Sequence, residues 1–103
     1  MKLAWSPAAL EDLRTAIDYI ELDLDSPNAA QKFFESIIEK ARLFADVPGS
    51  GIVLKTISGI DTGYRYMIVG NWMMFFSVDE KQALVVRILF GKSDYMRTLF
   101  NDI

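Results

Sequence analysis

The sequence predicts an α+β domain in which an N-terminal strand and an antiparallel helical hairpin pack on one face of a twisted antiparallel β-sheet. Two observations lead to this fold class. Apolar residues first recur at helical spacing, and after Gly51 their period falls from about 3.6 residues to about 2, with β-branched and aromatic residues dominating. The 103 residues suit one hydrophobic core, so residues 1–103 are expected to form a single domain.

The first elements are a short strand and a helix. Lys2–Trp5 is an apolar run that ends at Ser6-Pro7. Serine followed by proline is typical of a helix start, because the hydroxyl accepts from a free amide and proline has no N–H to lose. An amphipathic helix of about four turns follows, since apolar residues recur at i, i+3 and i+7 until Asp23–Asp25.

A second helix begins in the same way at Ser26-Pro27. It carries a wider apolar stripe: Ala30, Phe33, Phe34, Ile37, Ile38, Ala41 and Phe44. Val47–Gly51 contains a proline and two glycines and ends it. Because the link between the helices is short, we expect them to pack as an antiparallel hairpin with both stripes in the core.

The second half of the chain reads as an antiparallel meander of β-strands. Turn residues around Ser58–Asp61, at Gly70-Asn71 and at Asp79–Gln82 separate the apolar runs. The expected strands are Ile52–Ile57, Tyr64–Val69, Trp72–Val78 and Ala83–Phe90. The tail from Lys92 to Ile103 is expected to form a short helix capped by Ser93 or Asp94. It offers no obvious cover for the second face of the sheet.

The composition excludes several kinds of chemistry. The chain contains no cysteine and no histidine, so catalysis would use Lys, Arg, Tyr, Ser, Asp or Glu, and no metal or other cofactor is expected. The net charge of −3 argues against strong autonomous nucleic-acid binding. Without a membrane-spanning run or a signal peptide, the expected location is the cytoplasm, with no membrane partner.

Basic residues on the strands and in the tail are the first candidates for a site. Alternation places Arg65 with Met67 and Val69, and Arg87 with Val85 and Leu89. Each strand could turn its cation toward the sheet face that the helices leave open, where an anion site would form. The alternative is a set of scattered surface charges lying over apolar sheet. The residues concerned are Lys55, Arg65, Arg87, Lys92 and Arg97.

The run WMMFF, Trp72–Phe76, is the second candidate. It is either core of a central strand or an adaptable apolar groove for a partner. Because the run occupies both faces of its strand, we expect part of it to lie exposed and to bind a protein partner. Trp72, Met74 and Phe76 are the residues predicted to contact that partner or a target.

Three segments, in this order and at this spacing, resemble the RelE/ParE superfamily of bacterial toxins. They are WSPAALEDLRTAIDYI, PNAAQKFFESIIEKARLFADVPGSG and GYRYMIVGNWMMFFSVDEKQALVVRILFGKSDYMRTLF. The resemblance covers Trp5 to about Phe100. It implies the toxin half of a type II toxin–antitoxin module for plasmid stabilisation, silenced by a cognate antitoxin. The ParE-like branch poisons DNA gyrase, whereas the RelE-like branch cleaves mRNA in the ribosomal A site.

The resemblance also implies roles for single residues. Arg65 matches the strand arginine of the nuclease branch, and Lys55 roughly matches its lysine on the preceding strand. With Lys92 and Tyr95 they would form the catalytic set of a metal-independent endoribonuclease. Ser93, however, stands where that branch tends to carry a second arginine.

Further departures concern side chains that the nuclease branch uses. Phe90 stands where relatives often have histidine, and Trp72 and Phe76 where they commonly have tyrosine. These changes favour the ParE-like branch, which acts by binding. Two alternatives stay open, a ribosome-dependent endoribonuclease and a degenerate, non-toxic binding partner. A homodimer and a toxin–antitoxin hetero-oligomer are both compatible with the sequence.

Overall fold

A computed structural model describes residues 1–100 of the chain; residues 101–103, which the sequence assigns to the tail of the domain, lie outside the described residues. The element order agrees with the predicted α+β fold. It runs β1 (Lys2–Trp5), α1 (Pro7–Asp18), a π-helical turn (Tyr19–Asp23), α2 (Pro27–Asp46), a 3-10 turn (Pro48–Ser50), β2 (Ile52–Lys55), β3 (Asp61–Val69), β4 (Trp72–Val78), β5 (Gln82–Phe90) and α3 (Tyr95–Phe100).

The five strands form one sheet in the order β1-β5-β4-β3-β2. The last four form the predicted antiparallel meander, and Gly70 takes the positive φ of 60° that its tight reversal requires. The first strand differs from the prediction, because β1 pairs in parallel with β5, with Lys2 opposite Gln82 and Trp5 opposite Val85. The sheet is therefore mixed.

Ser6 joins the sheet to the helical hairpin. Its hydroxyl oxygen accepts from the Ala9 amide at 2.9 Å and donates to the Val86 carbonyl at 2.7 Å, so α1 is capped as predicted and tied to β5. The second serine behaves differently. Ser26 precedes α2 at the predicted place, but its side chain makes no capping hydrogen bond with the described residues.

The main core lies between the hairpin and one face of the sheet. Phe44 of α2 stacks on Phe76 of β4 with ring centroids 3.9 Å apart, and both side chains are fully buried. Most of the predicted stripe of α2 contributes to this core, although Phe34 faces solvent and Ile38 is half-buried. Met67, Val69 and Met74 meet the hairpin from the sheet.

The second face of the sheet is not bare, which corrects the sequence-based expectation. Helix α3 folds back over it and covers a smaller cluster of Leu54, Met73 and Phe75. Its covering side chains are Tyr95, Met96 and Leu99. The cover is incomplete, since Ile68 and Phe100 remain exposed. Of the two predicted caps, Asp94 contacts the helix through the Arg97 amide at 3.5 Å, whereas Ser93 donates to the Phe90 carbonyl.

Two strands depart from simple alternation. β2 ends at Lys55, two residues earlier than predicted, because Thr56 accepts from the Ile60 amide at 3.0 Å and closes a loop that leaves Ile57 fully exposed. In β5, Phe76 pairs with Val85 and Phe75 with Arg87, so Val86 is the extra residue of a β-bulge. Because of this bulge, Arg87 does not follow the simple alternation by which it was predicted to share a face of the sheet with Val85.

Candidate functional site

Arg65 lies on the helix-facing side of the sheet. It alternates with Met67 and Val69, which belong to the main core, and its strand neighbours are Val53 and Phe76. The prediction that Arg65 belongs to an open sheet face is therefore wrong. Its side chain is half-buried near the C-terminal end of α2 and makes no ion pair within residues 1–100.

Lys55 and Lys92 lie at opposite ends of the sheet. Lys55 is paired with Asp61, where β3 begins, and its side chain is exposed. Lys92 follows Gly91, whose amide donates to the Asn71 carbonyl at 2.8 Å, just past the other end of β3. Since each strand residue rises about 3.3 Å, the two lysines are separated by roughly 25 Å along the strand direction.

Tyr95 lies on the face of the sheet opposite Arg65. Its ring packs 5.4 Å from that of Phe75 beneath α3, and its hydroxyl makes no hydrogen bond with the described residues. The sheet itself therefore separates the tyrosine from the arginine. Neither comes together with Lys55 and Lys92 into a set that could surround one phosphate.

The other two candidate arginines, Arg87 and Arg97, are held in ion pairs. Arg87 donates through Nε and Nη2 to the two carboxylate oxygens of Asp12 at 2.7 and 2.9 Å. The hydrogen bonds that Arg87 donates to Asp12 raise the pKa of Arg87 above its ordinary value, so this arginine stays charged. Arg97 pairs with Asp94 at 3.5 Å on the exposed surface of α3. Asp12 was not among the site residues predicted from the sequence. In the sequence it is only an acidic residue at the margin of the apolar stripe of α1.

The predicted apolar contact residues divide into two groups. Met74 and Phe76 are 0% exposed in the main core, so the expectation that they contact a partner is wrong for the folded chain. Trp72, in contrast, is half-buried at the start of β4. Its ring lies edge-on to Phe90 at 5.4 Å and tilted against Phe33 at 5.9 Å.

An apolar cavity of about 300 Å³ opens beside Trp72. It lies between the tip of the helical hairpin and the reversal that joins β3 to β4. The large side chains of Tyr19, Leu24, Phe33, Trp72 and Phe90 are part of its wall, and an adjoining hollow shares Tyr19, Trp72 and Phe90. Trp72 was predicted from the sequence as a contact residue, but Tyr19 and Leu24 were not. The pattern that could have identified them is the alternation of apolar and acidic residues that follows the apolar stripe of the first helix.

Within residues 1–100, no group of three or more carboxylates converges in a way that could hold a metal ion. Among the helices of those residues, none combines the length and the apolar character needed to cross a membrane.

Comparisons with known proteins agree with one another. A family model described as "ParE toxin of type II toxin-antitoxin system, parDE" matches residues 3–95. Among solved structures, the "Chromosomal ParDE TA system from P. aeruginosa" has 25% sequence identity, a TM-score of 0.68, and coverage of 87% of this chain and 95% of that chain. No curated protein matches significantly.

A second solved structure, "YoeB/ParE toxin from Agrobacterium tumefaciens", has 18% identity and a TM-score of 0.52. It covers 87% of this chain and 98% of that chain. At this level of identity the likeness concerns the fold alone. It agrees with a helical hairpin on a five-stranded sheet.

Proposed function

Because the chain belongs to the ParE toxin family of type II toxin–antitoxin systems, we propose that it inhibits growth by binding DNA gyrase and that a cognate antitoxin keeps it inactive. The gyrase target follows from the resemblance to the ParE-like branch. The antitoxin follows from the family, and the similar P. aeruginosa structure is itself a ParDE system. In a plasmid or chromosomal module, such a pair acts as a stabilisation device.

The separation of the candidate catalytic residues is the observation that supports binding over RNA cleavage. Metal-independent cleavage needs a base, an acid and a cation within hydrogen-bond reach of one phosphate. Here Arg65 and Tyr95 lie on opposite faces of the sheet, and Lys55 lies at the far end from Lys92. A toxin that works by association does not require these side chains to meet.

Contacts to the target or the antitoxin are proposed for the candidates whose side chains are accessible. Arg65 and Trp72 are half-buried, and Arg97 has a side chain that is 77% exposed. Arg87 contributes less to such contacts, because Asp12 already neutralises it. Met74 and Phe76 support the site only by holding the sheet and hairpin together.

Assembly with the antitoxin is proposed as a hetero-oligomer. The exposed apolar residues form several areas rather than one patch, including Ile52 and Ile60 near the β2 edge and Leu43 and Val47 near the end of α2. An antitoxin that wraps the domain would cover more than one of them. A homodimer would cover only one symmetric patch.

Inducible expression with and without the small gene beside the toxin gene tests the proposal. We expect growth arrest without that gene, rescue with it, and gyrase–DNA breaks that are trapped by the purified toxin in a supercoiling assay. Codon-phased mRNA cuts mapped by primer extension, without trapped breaks, would instead support a ribosome-dependent nuclease. Normal growth in every arm would support a non-toxic binding partner.

A further inference from the structure

The tip of the helical hairpin has an unusual backbone. α1 continues into a π-helical turn, in which the Leu24 amide donates to the Tyr19 carbonyl at 3.1 Å, five residues back. Asp25 then adopts a positive φ of 50°. Such wide turns occur often at functional sites. Here the widened turn carries Leu22 and Leu24 outward, leaving them 68% and 55% exposed.

The wall of the adjoining cavity is aromatic and rigid. Trp72 contacts both Phe33 and Phe90, so these rings cannot collapse into the space without breaking the two ring contacts. Tyr19 and Leu24 close the side nearest the tip. A volume of about 300 Å³ lies at the lower end of the range for ligand pockets, which suits one or two large apolar side chains better than a cofactor.

The charged side chains of the hairpin tip all have one sign. The segment 18–25, which we call the acidic tip, carries Asp18, Glu21, Asp23 and Asp25. No lysine or arginine occurs in the sequence between Arg14 and Lys32. None of the four acids forms a salt bridge with another residue of the described part of the chain. A partner that brings positive charge would relieve their mutual repulsion and associate faster.

We propose that the acidic tip and the cavity beside Trp72 dock a cationic segment of a partner protein. A large apolar side chain of that segment enters between Tyr19 and Trp72, and its flanking Lys or Arg residues approach Asp23 and Asp25. The site goes beyond the proposed action on gyrase and does not depend on it. Nucleic acids and anionic lipid surfaces carry the wrong charge for this surface.

Titration of the purified, 15N-labelled chain with short peptides tests the proposal. The probe is Ac-KRFLRK-NH2, and its controls are the charge-reversed Ac-EEFLEE-NH2 and the apolar-deleted Ac-KRGGRK-NH2. We expect saturable shifts of the amides of Tyr19, Leu24 and Trp72 with the probe. Both controls should bind at least tenfold more weakly.

Substitutions then separate the two components of the site. Leu24→Ser removes part of the cavity wall, and the double variant Asp23→Asn with Asp25→Asn removes charge. Each should weaken probe binding about tenfold, since several exposed ion pairs or one buried apolar side chain contribute effects of that size. Only the Asn variant should also lose most of the salt dependence.

Matched controls lie elsewhere on the surface. Leu10→Ser removes an apolar side chain that is equally exposed, and Glu39→Gln with Glu80→Gln removes two charges far from the tip. Both should bind the probe as the parent does. Three results of the peptide titrations would overturn the proposal: equal affinity for the charge-reversed peptide, unchanged binding by the Leu24 and Asp23/Asp25 variants, or amide shifts centred away from the cavity. Binding of duplex DNA or phosphatidylserine vesicles at the acidic tip would also overturn it.

Discussion

The Asp12 carboxylate binds Arg87 in a bidentate ion pair and also accepts from the Ile88 amide at 3.0 Å. One side chain of α1 thus satisfies both the arginine and a backbone donor of β5, beyond the point where β1 ends. The side chains are 13% and 28% exposed, so water replaces these bonds poorly. The pair holds the first helix on the edge of the sheet.

Asp12→Ala should lower the free energy of unfolding by about 2–3 kcal/mol, because it leaves a half-buried arginine and an amide without partners. Urea denaturation followed by circular dichroism measures the loss. Arg97→Ala, which removes the partner of Asp94 in a pair that is 69–77% exposed, is the control and should cost less than about 1 kcal/mol. Equal losses for the two would contradict this account.

Arg65→Ala should preserve the fold and weaken toxicity or antitoxin binding. The guanidinium makes no ion pair within the described residues, so its loss leaves no buried charge behind. Growth assays and antitoxin titration measure the two activities, and urea denaturation checks the fold. Arg14→Ala, an exposed change on α1, is the control. Parental values for both activities would remove Arg65 from the proposed site.

Gly51→Ala should destabilise the protein by about 1–3 kcal/mol through overpacking. A Cβ at this position would lie 2.6 Å from the ring of Phe44, which is fully buried and stacked on Phe76. Gly49→Ala is the matched control, since a Cβ there meets nothing within 4 Å. Thermal denaturation of both variants measures the effect. A parental midpoint for Gly51→Ala would show that Phe44 can move.

Tyr95→Phe should retain full toxicity, whereas Tyr95→Ala should lower the free energy of unfolding by about 2–3 kcal/mol. The ring packs on Phe75 beneath α3, and the hydroxyl has no hydrogen-bond partner among residues 1–100. Urea denaturation measures what the packing of the ring contributes to stability, and growth assays measure whether the hydroxyl is needed for toxicity. A Phe variant that folds normally but has lost toxicity would restore Tyr95 as a catalytic candidate.

The turn between β4 and β5 should weaken in acid. Asp79 accepts from the Lys81 and Gln82 amides at 2.8 and 2.9 Å, and these bonds lower its pKa below the ordinary value of 3.8. Because the folded pKa is depressed, the stabilisation is present above pH 3.8 and disappears as the pH falls through the folded value.

A carboxyl-detected NMR titration measures the Asp79 pKa directly, and amide exchange of Lys81 follows the turn. Glu80, exposed in the same turn, is the internal control for general acid effects. An Asp79 pKa at or above the value for an unfolded chain would contradict the assignment. Asp79→Ala should remove the protection of the Lys81 amide at neutral pH.

Local signals predicted most of the fold. Ser6-Pro7 and Ser26-Pro27 placed both helix starts, and Gly70 and Asp79 placed two of the reversals. The parallel pairing of β1 escaped prediction, since four residues of strand carry no information about a partner about 80 residues away. The cover by α3 also escaped it. Its apolar residues are few and stand in a mixed tail.

The candidate site was less predictable, because the direction of a strand side chain depends on register. A single extra residue, Val86, moves Arg87 to the edge where Asp12 holds it. Arg65 obeys simple alternation, but the sequence does not say which face the hairpin covers. The family resemblance rests on the order and spacing of whole segments, so it was unaffected by these errors.

The pairing of β1 with β5 has a consequence for how the chain is made. Lys2–Trp5 is synthesised before the other strands of the sheet, yet its partner strand, Gln82–Phe90, is the last of them to emerge. Pairings this distant in sequence form late and slowly. A nascent chain of this protein therefore cannot complete its sheet until Gln82–Phe90 has emerged, and a product truncated before that strand should leave β1 without its partner.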